Sequence, residues 1–257
     1  MDLFSVAGKT ALVTGGSRGI GLMIARGFVA AGARVIISSR KADVCEKVAA
    51  ELSAVGECTA IPADLSTAAG ADELAGAVRA AAPRLDVLVN NAGATWGAPL
   101  DDYPDAAFDK LWSVNVKSVF RLTVGLLPAL RAAASAEDPA RVIVIGSVDG
   151  IRVPAMENYA YAASKAGIHM LTRQLAHTLA GDHITVNAIA PGPFESKMMA
   201  FALDDPALRS AVEQGVPLGR IGRPDDMAGA AIFLASRAGS YLTGAVIPVD
   251  GGLSTHG

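Results

Sequence analysis

The segment Leu12-Val13-Thr14-Gly15-Gly16-Ser17-Arg18-Gly19-Ile20-Gly21 constrains this chain more than any other. Residues 9–14 form a short β-branched run that reads as a buried strand. Residues 20–31 follow with amphipathic spacing that reads as a helix closed by Gly32. Glycines at 15, 19 and 21 occupy the turn, where positive φ and close approach of backbone to a ligand favour a residue without Cβ. The helix that follows offers unpaired N–H groups and the positive end of its dipole, which suits a pyrophosphate. A glycine triplet alone is weak evidence; between a strand and a helix, near the start of an alternating chain, it marks a dinucleotide-binding unit.

The alternation continues to the end. Further strands are expected at 34–39, 58–62, 85–89, 141–145, 184–188 and 245–249. Helices are expected at 43–55 with Asp43 as N-cap, at 67–82, as one or two long pieces over 104–130, and at 158–179 and 225–235. This rhythm predicts an α/β fold: a Rossmann-like, doubly wound parallel sheet of about seven strands with helices on both faces. Several strands are continuous apolar runs, as a sheet covered on both sides requires. With no composition break, residues 1–257 are expected to form one domain, carrying a substrate lid at about 194–223.

Composition removes several classes. With 51% hydrophobic and 18% charged residues, the chain has material for a large core and is not a disordered protein. A net charge of −3 argues against a general nucleic-acid binder. Cys45 and Cys58 lack metal-ligand spacing and read as reduced thiols, so no metal site is expected. Residues 1–8 lack a basic-then-apolar leader, and no apolar run reaches the roughly 18 residues that span a bilayer. A cytoplasmic protein without a membrane segment is the expectation.

Ligands on such sheets bind beyond the C-terminal ends of the strands, so polar residues just after strands carry the chemistry. The second strand ends in Ser38-Ser39-Arg40-Lys41, with no acid to hold a ribose 2′-hydroxyl. A guanidinium there suits a 2′-phosphate, and Arg18 in the glycine turn is placed to grip it from the other side. The expected cofactor is therefore NADP(H). Tyr161-Ala162-Ala163-Ser164-Lys165 places a phenol and an ammonium four residues apart on one helix face. A nearby positive charge depresses a phenol's pKa and lets it exchange a proton near neutral pH. Tyr159 falls on another face. Ser147 follows the fifth strand, 14 positions before Tyr161. Asn115 interrupts the apolar run 112–116, an unfavourable mid-helix position unless its amide is paired.

Together, the Thr-Gly-xxx-Gly-x-Gly turn and the YxxxK pair resemble the short-chain dehydrogenase/reductase superfamily, over nearly the whole chain from Val6 to Leu253. The resemblance implies a cofactor cradle of Gly15, Ser17, Arg18, Gly19, Ile20 and Gly21, with Arg40 on the 2′-phosphate. It puts Asp64 and Leu65 by the adenine, although an aspartate there also reads as a helix cap. Asn91, Ala92 and Gly93, in an NNAG turn, would border the nicotinamide ribose with Tyr161 and Lys165. Pro191, Gly192, Phe194 and Ser196 would lie over the nicotinamide amide, serine standing where the family has threonine. It also implies a tetrad of Asn115, Ser147, Tyr161 and Lys165. Ser147 would hold a carbonyl and Tyr161 exchange its proton. Lys165 would bind the ribose and lower the tyrosine pKa, and Asn115 would hold a relay water. The glycine-rich end, 249–252, would pack in a homotetramer.

Segments 61–66, 134–141 and 193–198 resemble the NADPH-dependent 3-oxoacyl reductases that accompany bacterial rhamnolipid synthesis. That implies a 3-oxoacyl thioester substrate, on acyl carrier protein or coenzyme A, and a place in fatty acid metabolism. The lid holds Met198, Met199, Phe201, Leu203, Leu208, Val212 and Val216. These suit an acyl chain, with Trp96 and Met156 completing the pocket, or equally form the core face of two lid helices. One feature opposes a carrier protein: Ala180-Gly181-Asp182-His183 stands where many carrier-dependent reductases have arginine. Arg131 and Arg173 would attract an acidic carrier and Asp182 repel it. A sugar-acid, polyol or other secondary-alcohol dehydrogenase on the same scaffold is the alternative. A non-enzymatic NADP sensor is disfavoured by the intact Ser147, Tyr161 and Lys165.

Overall fold

The computed structural model describes residues 2–197 and 199–255. Seven parallel strands form one sheet: β1 (Thr10–Thr14), β2 (Arg34–Ser38), β3 (Cys58–Ala60), β4 (Val87–Asn90), β5 (Ala140–Ile145), β6 (Ile184–Pro191) and β7 (Val246–Val249). Their order is β3-β2-β1-β4-β5-β6-β7. The chain therefore winds outward from β1 to β3, then returns to lay β4 on the other side of β1. At this reversal the loops after β1 and β4 diverge and leave a crevice beyond the strands' C-terminal ends.

The pleat sorts the side chains into two cores. Leu12 and Ile36 point to one face, where they meet Leu74 and Val78 of α3 (Ala68–Ala81), Leu122 and Leu126 of α5 (Ser118–Ala133) and Ile168 of α6 (Tyr159–Leu179). Their neighbours Val13 and Ile37 point to the other, against Ile24 and Phe28 of α1 (Gly19–Ala30), Cys45 of α2 (Ala42–Ser53) and Met227 of α9 (Pro224–Ala235). Opposite faces for successive residues, both apolar, are what a doubly covered sheet demands. Cys45 and Cys58 are free and buried. Among the described residues no helix is long and apolar enough to cross a membrane.

Several boundaries differ from the sequence reading. Strand β6 extends through Pro191 because β7 supplies a partner that far, Pro191 opposite Val249. Lys41, not Asp43, is the N-cap of α2; Asp43 sits in the first turn, where a carboxylate still favours the helix dipole. The expected helix over 104–130 becomes α4 (Asp105–Trp112), a π-helical turn (Ser113–Lys117) and then α5. Within 194–223 lie two short helices, α7 (Ala200–Leu203) and α8 (Pro206–Gln214); the Asp205 carboxylate caps α8 by accepting from the N–H groups of Ala207 and Leu208. Met198 and the side chain of Phe201 lie outside the described residues.

Candidate active site

The glycine turn is built by the backbone. Gly15 (φ 65°) and Gly19 (φ 52°) lie in the left-handed region. A Cβ on Gly15 would sit 2.6 Å from Asn91 Nδ2, and one on Gly21 would sit 2.3 Å from the Gly15 carbonyl oxygen. The buried Thr14 hydroxyl locks this turn to the NNAG turn after β4. It donates to Val89 O (3.2 Å) and accepts from the N–H groups of Asn91 (2.9 Å) and Ala92 (3.0 Å). Asn91 Nδ2 donates in return to Thr14 O (2.8 Å). Arg18 is the N-cap of α1 and makes no side-chain cap, so the first N–H groups of that helix face the crevice. Ser196 crosses above, close enough that a Cβ on Gly19 would lie 3.3 Å from its own Cβ.

Arg18, Arg40 and Lys41 are all exposed at this edge of the sheet. Asp64 lies within electrostatic reach of Arg40; the Ser66 N–H it accepts (3.0 Å), then Arg40, hold its carboxyl below the usual range. It is not a helix cap, because Thr67 caps α3 by accepting from Gly70 N (3.0 Å). An open helix N-terminus, a backbone that tolerates no Cβ, and guanidinium groups without a carboxylate directly after β2 fit a phosphorylated dinucleotide. Two of the expected contact residues turn their side chains away from it. Leu65 packs in the core under α3, and the Phe194 ring is buried on the α9 side, where Gly222 leaves room for it. They can serve a cofactor only through backbone groups.

The polar side chains converge beside Gly93. Asn115 sits in the π-helical turn, a distortion common at functional sites. Its Oδ1 accepts from Ala94 N (2.9 Å), and its Nδ2 donates to Ala94 O (3.0 Å) and Ser164 Oγ (2.9 Å). The amide is thus fully paired, which offsets its place in an apolar helix. A Cβ on Gly93 would lie 3.3 Å from Asn115 Oδ1 and 3.9 Å from Lys165 Nζ. Lys165, 6% exposed, donates to Ile145 O (2.8 Å) and stands 5.6 Å from the centre of the Tyr161 ring. Ser147 follows β5, and its Oγ accepts from Asp149 N (3.1 Å). Burial pushes Tyr161 up to about 12, while a hydrogen bond from Ser147 opposes the rise and the Asp149 charge adds to it. Burial brings Lys165 down to about 8 against the pull of Asp149. The expected depression of the phenol by Lys165 is not seen: desolvation dominates, and the ammonium stands over the ring, bonded to a carbonyl.

Three contributors were not picked out from the sequence. His169 is buried one turn beyond Lys165. Its Nε2 accepts from Ser147 N (3.4 Å), and burial, then Lys165, bring its pKa down to about 4. The 161-165-169 spacing marks it on the face of the tyrosine and lysine. Thr14 is betrayed only by being polar at the end of an apolar strand. Ser164 relays Asn115 to the Tyr161 carbonyl (2.7 Å).

Other expected pocket residues divide. Leu203 and Val216 are buried and form the core face of the lid segment, whereas Leu208, Trp96 and Met156 are exposed. Among the described residues, a cavity of about 420 Å³ beside Ser196 is lined by Glu195, Lys197, Ala200, Leu203, Asp204 and Arg209. Tyr159 stacks edge-on against Tyr103 (5.3 Å) and donates to Glu157 (3.0 Å). Asp182 is paired with Arg131, accepting from Nε (3.0 Å) and Nη2 (2.8 Å), so this acid and this arginine neutralise one another. Among the described residues no group of His, Cys, Asp and Glu is arranged to hold a metal.

Residues 15–254 match a family model described as enoyl-(acyl carrier protein) reductase. The rhamnolipids biosynthesis 3-oxoacyl-[acyl-carrier-protein] reductase of Pseudomonas aeruginosa is 55% identical over 249 residues, 97% of each protein. The P. aeruginosa RhlG/NADP active-site complex superposes with a TM-score of 0.97 at 54% identity, over 99% of both chains. A gluconate 5-dehydrogenase from Burkholderia cenocepacia, solved with NADP and tartrate, superposes with a TM-score of 0.92 at 32% identity, over 100% of this chain and 99% of the other. With the glycine turn, the seven-stranded sheet and the tyrosine–lysine pair, these likenesses establish that the chain belongs to the short-chain dehydrogenase/reductase family.

Proposed function

We propose that this protein is an NADP(H)-dependent oxidoreductase that reduces the 3-oxo group of an acyl thioester, carried by acyl carrier protein or coenzyme A, to a secondary alcohol. The observation that carries this reading is the convergence of Asn115, Ser147, Tyr161 and Lys165 beside Gly93, next to a cradle with guanidinium groups and no carboxylate directly after β2. The 3-oxoacyl reductase at 55% identity supports the substrate class.

The cradle of Gly15, Ser17, Arg18, Gly19, Ile20 and Gly21, with Arg40, Asp64, Asn91, Ala92, Gly93, Pro191, Gly192 and Ser196, would hold the cofactor. When bound, the reduced nicotinamide supplies the hydride. Ser147, whose Oγ accepts from Asp149 N, directs its proton to Tyr161 in the absence of substrate and would turn it to the carbonyl of a bound substrate. Tyr161 donates the proton that the forming alkoxide takes. A phenol held near 12 stays protonated at neutral pH, so it begins the reduction as the acid. Lys165, on the inner side of the ring, orients the ribose and stabilises the phenolate left behind. Asn115 fixes the loop after β4 against α6 and with it the floor of the site. Residues 194–223 act as the lid. With Arg131 and Asp182 paired, carrier docking falls to Arg173, which makes no ion pair among the described residues. Exposed Phe108, Trp112, Phe120 and Val124 on α4 and α5, and exposed Tyr241 near the glycine-rich end, support a homotetramer. Free, buried Cys45 and Cys58 suit a reducing cytoplasm.

The test follows nicotinamide absorbance with acetoacetyl-coenzyme A and a 3-oxoacyl carrier protein, comparing NADPH with NADH and wild type with Tyr161→Phe. NADPH-preferring turnover that falls at least about a thousandfold in the variant is expected. Turnover confined to polyols or sugar acids would move the substrate to the class of the gluconate 5-dehydrogenase.

A further inference from the structure

Asp149 and Asn158 belong to neither the cofactor cradle nor the tetrad. Asp149 lies two residues after Ser147, in the 3-10 turn Val148–Gly150; Asn158 is the N-cap of α6, three residues before Tyr161. Asn158 Nδ2 donates to Asp149 Oδ2 (3.0 Å), and Asn158 is only 3% exposed. This bond joins the turn that carries Ser147 to the first turn of the helix that carries Tyr161. The same aspartate uses its backbone N–H to hold Ser147 Oγ (3.1 Å), and Asn158 O accepts from Ala162 N (3.0 Å). Each end of the bond is therefore anchored beside a reacting hydroxyl. The turn also presses on α6, since a Cβ on Gly150 would lie 2.6 Å from the Lys165 carbonyl carbon. Asn158 Oδ1 is buried with no hydrogen-bond partner among the described residues. An apolar residue would avoid that cost, so stability alone does not explain an asparagine here.

We propose that Asp149 and Asn158 are positioning residues: their hydrogen bond sets the Ser147–Tyr161 geometry, and the Asp149 carboxylate sets the pH range over which the tyrosine–lysine pair works. The inference rests on the reading of Ser147 and Tyr161 as catalytic. Burial raises the Asp149 carboxyl's pKa, opposed by the Asn158 hydrogen bond and then by the charges of Arg152 on the following loop and Lys165 on α6; Tyr161 on α6 feels the Asp149 charge in turn, and His169 lies one turn further, against Gly146 and Ser147. A negative charge at this point opposes phenolate formation and favours the ammonium. Its removal moves both titrations toward acid.

Asp149→Asn keeps an acceptor for Asn158 and removes only the charge; Asn158→Ala removes only the tether. For the first, the alkaline limb of the kcat/KM profile for carbonyl reduction is expected to move to lower pH by about half a unit or more. For the second, kcat is expected to fall about tenfold with the KM for NADPH changed less than about twofold. Phenolate absorbance titration of wild type minus Tyr161→Phe, with and without Asp149→Asn, reads the same shift without any substrate. Superimposable titrations for Asp149→Asn, or an unchanged kcat for a folded Asn158→Ala, would overturn the proposal while leaving the catalytic reading intact. A Tyr161→Phe enzyme that keeps its rate would instead overturn the catalytic reading itself. Should Asn158→Ala fail to fold, judged by circular dichroism, Asp149→Asn decides alone.

Discussion

His169 offers a test of how the site is held together that needs no substrate. The ring is 4% exposed, faces Ser147 N through Nε2, and has Lys165 and Arg173 as positive neighbours. It is folded in as a neutral acceptor. Its pKa falls from 6.5 to about 4, so between those values the unfolded chain binds a proton that the folded chain refuses. Stability is therefore fully present above pH 6.5 and is lost as the pH falls toward 4. One proton contributes about 1.4 kcal/mol per pH unit across such a window, giving about 2 kcal/mol at pH 5 and about 3 kcal/mol in all as an upper value. The perturbation is His169→Gln, which can keep an acceptor near Nε2 and cannot ionise. Urea denaturation of both proteins from pH 7.5 to 4.5 supplies the assay, carboxylate titrations common to both cancelling in the difference. The expected outcome is a wild type of equal or greater stability at pH 7.5 whose advantage shrinks by about 2 kcal/mol by pH 5. A difference that stays constant across the range would refute the assignment of His169 as a buried neutral acceptor.

Two further predictions follow from the glycine turn and its rim. Thr14→Val leaves the half-buried N–H groups of Asn91 and Ala92 without their acceptor. It is expected to cost about 2–4 kcal/mol in urea denaturation and to weaken NADPH binding measured by fluorescence, with Thr14→Ser restoring both. Arg40→Ala removes the guanidinium that follows β2, and the ratio of kcat/KM for NADPH to that for NADH is expected to fall about 10- to 100-fold; an unchanged ratio would place the 2′-phosphate elsewhere.

Much was legible from residue order alone because it depends on local chemistry. The apolar runs around Val13, Ile36 and Val186 could only be strands covered on both sides, and the strand–glycine–helix junction at 14–21 could only be a tight crossover. Tyr161 and Lys165 share a face because a helix repeats every 3.6 residues. Arg40 in place of an acid follows from its position after the second strand. Thr14 escaped as a linchpin because its partners stand 77 and 78 residues away, and His169 because its partner Ser147 lies on another element.

The sequence by itself determined which elements form, that the sheet is parallel and doubly wound, and which side chains can carry the chemistry. Only the tertiary structure decided what those side chains do to one another. It paired Asp182 with Arg131, sank the Leu65 and Phe194 side chains into the cores, and let burial outweigh the Ser147 hydrogen bond at Tyr161. It also tied Asp149 to Asn158 across the site. The physical reason is that desolvation and hydrogen-bond geometry depend on neighbours brought from distant parts of the chain, whereas helical and strand periodicity depend only on residues next to one another.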